Sequence, residues 1–289
     1  MRRAMLSALI IVVFFLIFAR YTGFPTASPT ITYFPEAEPS LKLSGKTQIH
    51  LHPQAQALTW RIQSHSTSPV YLLQNFSLLY RNNQLIAINN VWKQQVRSLL
   101  TVKHLQTEPG YFQGLSVHQA EVHEGEKIRG REVFSSDQLF VMKKGDRWFA
   151  FSDQHWTDTE KYYAGQLTSE INQQQAALTQ KAAKIYGFNQ SDYKMVLLSD
   201  LNETNADKFF PGSPADSRRI AGQLWEGLYK TMVRGFDMGE GQYEPVKGSS
   251  LPILLIGRDH LLVVIESSAQ RVIVLKQKFQ SRTYSPDSR

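Results

Sequence analysis

Hydrophobic residues between positions 41 and 153 recur with a period of two, which limits the first half of the chain to half-buried strands. Residues 56–63 set Leu58, Trp60 and Ile62 against Ala57, Thr59 and Arg61, one row for a core and one for water. Residues 70–81 and 84–91 flank Asn82-Asn83. Asparagine tolerates positive φ, so this pair reads as a hairpin turn. Residues 96–105 alternate again. Residues 138–143 and 147–151 form a further hairpin around Lys144-Gly145-Asp146, with Trp148, Phe149 and Phe151 after the turn.

Past residue 154 the period changes. Thr157 and Glu160 have capping-box spacing, at the head of a helix that reaches about Tyr186 and stops at Gly187. Its apolar stripe is Tyr163, Leu167, Ile171, Leu178, Ala182 and Ile185, and the polar run 172–175 places one face in water. Residues 195–198 read as a short buried strand. A second helix follows Ser213, with Pro214 at its first position and Ile220, Leu224, Leu228 and Met232 recurring every four residues up to Gly235. Residues 251–256, 261–266 and 271–279 close the chain as strands. This segregated order predicts an α+β fold of mainly antiparallel sheets with two amphipathic helices, and it lacks the alternation of a doubly wound parallel fold. The expected division is a β-rich subdomain over 41–153 and an α+β subdomain with a basic C-terminal tail over 154–289. One continuous domain with the helices laid across a sheet is the competing arrangement.

Ahead of the body, residues 4–19 hold a single polar side chain, Ser7, behind Arg2 and Arg3. That run spans about 24 Å as a helix, and extension to Phe24 brings it to about 31 Å, against a hydrocarbon core of ~30 Å. Tyr21 and Phe24 suit the interfacial aromatic belt and Pro25 stops the helix. A cleaved signal peptide is the rival, but Ile17 occupies the small-residue position before a cut at Ala19. The expectation is a transmembrane anchor over 1–24 with the N-terminus cytoplasmic and the body outside. Residues 25–40 carry four prolines and read as a stiff spacer.

The formal net charge of +7 resides at the ends. Arg2, Arg3 and Arg20 flank the apolar run, and Arg271, Lys276, Lys278, Arg282 and Arg289 face only Asp287 near the C-terminus. Residues 21–269 hold equal numbers of basic and acidic side chains, so the body has no basic excess for nucleic acid. The basic ends fit anionic headgroups or an anionic envelope polymer. Cysteine is absent, which removes disulfides, a thiol nucleophile and thiolate metal sites.

No motif set assembles into a catalytic site. His50 and His52 would share one face of a strand and form a candidate metal pair, yet no further ligand stands at a diagnostic spacing, and two surface histidines are the plainer reading. His123-Glu124 opens like H-E-x-x-H but carries Lys127 at the fifth position. Residues 114–118 resemble a nucleophile elbow around Ser116, with His118 where a glycine is needed and no helix following. Ser191 and Lys194 match S-x-x-K without its companion motifs. The glycine-rich loop after Gly235 carries Asp237, Glu240 and Glu244 without EF-hand spacing. Trp225 and Tyr229, beside the stripe of the second helix, are candidate partner-binding anchors as well as core residues.

The expected function is a single-pass, membrane-anchored extracytoplasmic module for binding or regulation at a bacterial envelope, without a cofactor, acting on a protein partner or anionic polymer. One alternative is an anchored hydrolase of wall polymer or peptide that gathers His50, His52, His118 and His123. Another is a self-associating structural envelope protein.

Overall fold

The computed structural model describes residues 40–279 apart from 126, 153–155, 202–204 and 240. The expected anchor, almost all of the spacer and the last ten residues of the basic tail lie outside the described residues. Among the described residues no helix is long and apolar enough to cross a membrane.

Six antiparallel strands make the first sheet: β1 (Leu43–His52), β2 (Ala57–Arg81), β3 (Gln84–Gln106), β4 (Gly110–Glu124), β5 (Lys127–Lys144) and β6 (Arg147–Phe151). The two segments expected at 56–63 and 70–81 are one strand. The register shifts between His65 and Val70 and again before Leu72, so a bulge replaces the expected break. Pro69, which has no N–H to offer a ladder, sits inside that irregularity. β3 follows β2 along its whole length, from Ala57 opposite Gln106 to Arg81 opposite Gln84. The other edge of β2 is therefore shared: β1 pairs with residues 57–66 and β4 with residues 71–81. The hairpin turn is as expected, with φ of 46° at Asn82 and 68° at Asn83.

The bend brings β1 over β5. Thr47 Oγ1 lies 2.7 Å from Ser135 Oγ, and the Ile49 N–H donates to Asp137 Oδ2 at 2.6 Å. Between these layers Leu58, Trp60, Ile62, Phe112, Val141 and Trp148 form an apolar core. The same interior holds a polar chain. Thr101 Oγ1 donates to Gln74 Oε1 (2.8 Å), Gln74 Nε2 donates to Ser64 Oγ (3.0 Å), and Ser64 meets His118 Nδ1 at 2.8 Å. His118 Nε2 reaches Ser135 Oγ at 2.7 Å. Both ring nitrogens of His118 therefore have a serine hydroxyl within hydrogen-bonding distance, and a hydroxyl can donate to or accept from either one. Burial pushes the His118 imidazole down to about 4. Gly45 makes room for the ring: a Cβ there would stand 2.1 Å from His118 Cδ2.

The second half forms α1 (Asp158–Tyr186), a short strand β7 (Lys194–Leu197), α2 (Ala206–Phe209), α3 (Pro214–Arg234), a small hairpin of β8 (Phe236–Asp237) and β9 (Tyr243–Glu244), and the strands β10 (Ile253–Ile256), β11 (His260–Glu266) and β12 (Val272–Lys278). The order β12-β11-β10-β7 makes a four-stranded antiparallel sheet. Both long helices start at the expected caps, with reciprocal capping boxes at Thr157 and Ser213, and α1 ends on Gly187 in the left-handed conformation.

α3 packs between the two sheets. One continuous cluster joins Phe76, Leu78 and Val117 of the first sheet, Leu224 and Leu228 of α3, and Leu254 of the second sheet. The β2–β3 turn docks on the far half as well: Leu85 N–H donates to Ser249 O and Gly248 N–H to Leu85 O, both at 2.8 Å. A shared core and shared backbone hydrogen bonds therefore join the segments on either side of residue 154.

His118 links this interior to pH. Its folded-state pKa lies below the ~6.5 of a free imidazole, so the stability it contributes is present above that value and is lost as pH falls toward 4. Urea unfolding at about pH 4.5 should show a loss of roughly 2–3 kcal/mol relative to neutral pH that is missing in His118→Asn. Equal pH slopes in both proteins would contradict the buried neutral ring.

Candidate functional site

α1 spans 29 residues, about 44 Å of helix, longer than either sheet is wide. Its first turns rest on the six-stranded sheet, where Ala164 packs with Phe140 and Phe151. Its last turns rest on the four-stranded sheet, where Leu178 and Ala182 meet Ile253, Leu255 and Val264. The middle of the helix bridges the gap between these footings. A cleft of about 570 Å³ opens there, bounded by β4 and β5 on one side, α1 above, and the turn Leu198–Asp200 after β7 on the other.

The walls are neutral hydrogen-bonding side chains for the most part. β4 supplies Tyr111 and Gln113, and β5 supplies Ser136 and Gln138. The Tyr111 hydroxyl donates to Gln138 Oε1 at 2.5 Å, and its ring stacks on Phe140 at 4.3 Å, which fixes the phenol at the rim. Asn172 and Thr168 project from exposed positions of α1, and Ser199 and Asp200 come from the turn. Asp137 also borders the cleft, but its Oδ2 accepts from the backbone of β1. No lysine, arginine or histidine lines the cleft among the described residues. An anion would find no cation there, whereas a neutral ligand rich in hydroxyls or amides would find donors and acceptors on three sides.

Gln175 is the unusual group. The core-facing stripe of α1 runs through Ala164, Ile171, Leu178 and Ala182, and position 175 falls on it, four residues after Ile171. A periodic core calls for an apolar side chain here. Gln175 is instead 2% exposed, borders the cleft, and has no hydrogen-bond partner for Nε2 among the described residues. A buried amide left in this state costs roughly 1–3 kcal/mol. The polar run expected to face water is thus divided: residues 172–174 are exposed and Gln175 turns inward.

The chain matches no protein-family model, no curated protein and no solved structure. Its function has to be read from the geometry alone.

The residues singled out from sequence are dispersed. His50 and His52 lie on the outward face of β1, away from the cleft walls, and His52 Nε2 contacts Thr59 Oγ1 at 2.8 Å. Among the described residues no group of three or more His, Cys, Asp or Glu is placed to hold a metal. His118 is sealed inside the first sheet, and Ser116 lies within strand β4 rather than at a strand-to-helix elbow. His123 stacks on Tyr71 at 4.1 Å and contacts Glu121 at 3.0 Å. Ser191 belongs to an exposed turn, Gln190–Asp192. Trp225 is buried and stacks on Phe134 at 5.2 Å, with Tyr229 packed against the same core. Asp237 accepts from the Gly239 N–H, and Glu244 pairs with Arg271 at 3.4 Å. One sequence signal pointed to the cleft: the α1 stripe jumps from Ile171 to Leu178 and leaves position 175 to a glutamine.

Gln175→Leu restores the apolar stripe and removes the orphaned amide. Its urea midpoint should rise, by about 1 kcal/mol in unfolding free energy. A loss of stability would show that the amide is satisfied in the folded protein.

Proposed function

We propose that the chain is an extracytoplasmic binding module, held at a bacterial membrane by its N-terminal apolar run, and that the cleft beneath α1 takes a neutral, hydroxyl-rich strand of envelope glycan. The observation that carries this reading is Gln175, a buried amide retained at a core position, its Nε2 without a partner among the described residues, beside an amide- and hydroxyl-lined cleft. Natural proteins accept such local instability where a ligand completes the hydrogen bonding. The composition of the walls favours the ligand class: glutamine, asparagine, serine and threonine match sugar hydroxyls in both directions, and Tyr111 adds an aromatic edge. The membrane part of the reading draws on the apolar run behind Arg2-Arg3 and on the proline-rich spacer.

Calorimetric titration of the detergent-solubilised full chain with neutral N-acetylglucosamine oligosaccharides should give saturable binding. Gln175→Leu and Asn172→Ala should each weaken it about tenfold or more, the loss of one or two hydrogen bonds at ~1.4 kcal/mol per decade. In Gln175→Leu this loss is expected together with greater stability, a combination that damage to the fold does not produce. Absent binding, or binding indifferent to both substitutions, would remove the cleft from the proposal.

The location is checked separately. Cells expressing the full chain should hold it in the membrane fraction with residues 1–19 intact. A soluble product with a new N-terminus near Arg20 would replace the anchor with a cleaved leader.

A further inference from the structure

The balance of charge over residues 21–269 conceals an uneven surface. In the half of the first sheet formed by β1, the start of β2 and the end of β3, the register aligns the outward side chains in rows. His50, Thr59 and His104 form one row, and Gln48, Arg61 and Val102 the next. Lys46, Gln63 and Leu100 follow, then Ser44, His65 and Ser98. With His52 beyond the first row, this face carries Lys46, Arg61 and four histidines. No aspartate or glutamate occupies an outward position on it among the described residues.

Acidic groups on adjoining elements are engaged elsewhere. Glu108, after β3, pairs with Arg81 at 2.7 Å, and Asp137 of β5 points to the interior side of β1. Past the bulge, Glu132 of β5 ends the row of Trp92, Leu73 and Gln119, and Glu121 of β4 stands opposite Tyr71 and contacts His123. Two of the imidazoles are held in place: the Thr59 hydroxyl contacts His52 Nε2 at 2.8 Å and His104 Nδ1 at 3.0 Å. The edge strand β3 adds exposed apolar groups to the same side. Leu100 is 47% and Val102 43% exposed, and Trp92, opposite Leu73 past the bulge, is 55% exposed. Basic side chains beside an exposed tryptophan and aliphatic residues are the composition of an interfacial membrane contact.

We propose that this outward face of β1–β3 docks on anionic phospholipid headgroups of the membrane that holds the chain. The occupant follows from position as well as charge. The spacer joins the sheet at this face, where Thr67 Oγ1 donates to Ser40 O and the Lys42 N–H donates to Thr67 Oγ1. Residues 25–40 reach about 50 Å when extended, so the face can lie on the bilayer without straining the tether. The proposal rests on the anchored reading, and its test separates the two.

The full chain is placed in nanodiscs of brominated phosphatidylcholine, with or without phosphatidylglycerol, and Trp92 fluorescence is taken as the difference between the protein and Trp92→Phe. Quenching is expected in the anionic discs, severalfold weaker in high salt, and absent from phosphatidylcholine alone. Replacing Lys46 and the four exposed histidines with glutamine should weaken the quenching severalfold while leaving the circular dichroism unchanged. Quenching that ignores lipid charge, or none in any disc, overturns the proposal. Retention of a soluble polyanion without quenching assigns the face to a polymer and overturns it equally. If the chain does not enter discs, the anchored reading fails, and cosedimentation of the soluble chain with phosphatidylglycerol vesicles decides the face independently.

Discussion

The structure depends on one strand having two partners on the same edge. β2 runs for 25 residues, and its pairing with β3 commits one edge throughout. β1 and β4 must then divide the other, and the bulge around Val70 supplies the bend that lets them do so without colliding. Three consequences follow from that bend. The halves of the sheet close on Trp60, Phe112 and Val141. The polar chain from Thr101 to Ser135 is enclosed between them, with His118 at its centre. The first half of the sheet presents its outward rows, histidines included, on a surface of its own.

A second constraint is the length of α1. A helix that rests on two different sheets cannot follow both, and the unsupported middle is where a cleft can persist. Gln175 marks the point at which the packing rule is set aside. Elsewhere on α1 the buried positions hold Ala164, Ile171, Leu178 and Ala182, as periodicity demands, and Thr179, whose hydroxyl donates to Gln175 O. The departure at 175 lowers the stability of the helix seat and supplies a donor to the cleft, the exchange typical of ligand sites.

The two surfaces are complementary in character. The cleft has hydrogen-bonding walls with no cation lining them among the described residues, whereas the outward face of β1–β3 is basic with no acid on it. A net charge near zero for the body is the sum of such regions and describes none of them. Histidine adds a dependence on conditions. The buried His118 resists protonation because burial strips the charged imidazolium of its water.

Local rules were legible in the sequence. The Thr157 and Ser213 caps, the Gly187 stop, the Asn82-Asn83 turn and the α+β class follow from side chains acting on backbone a few residues away. β1, β4 and the first part of β5 were less distinct, because β4 is buried over most of its length and so lacks a polar alternate row. The grouping of residues distant in sequence was not legible. His104 joins His52 only through Thr59, and Gln175 shares a cleft with Gln113 only because α1 crosses from one sheet to the other. The sequence by itself determined the elements, their ends and the location of net charge, since these depend on short-range sterics and periodicity. Tertiary structure decided strand register, the bend of β2 and the span of α1. Those depend on which distant surfaces fit together, and they alone bring the cleft and the basic face into being.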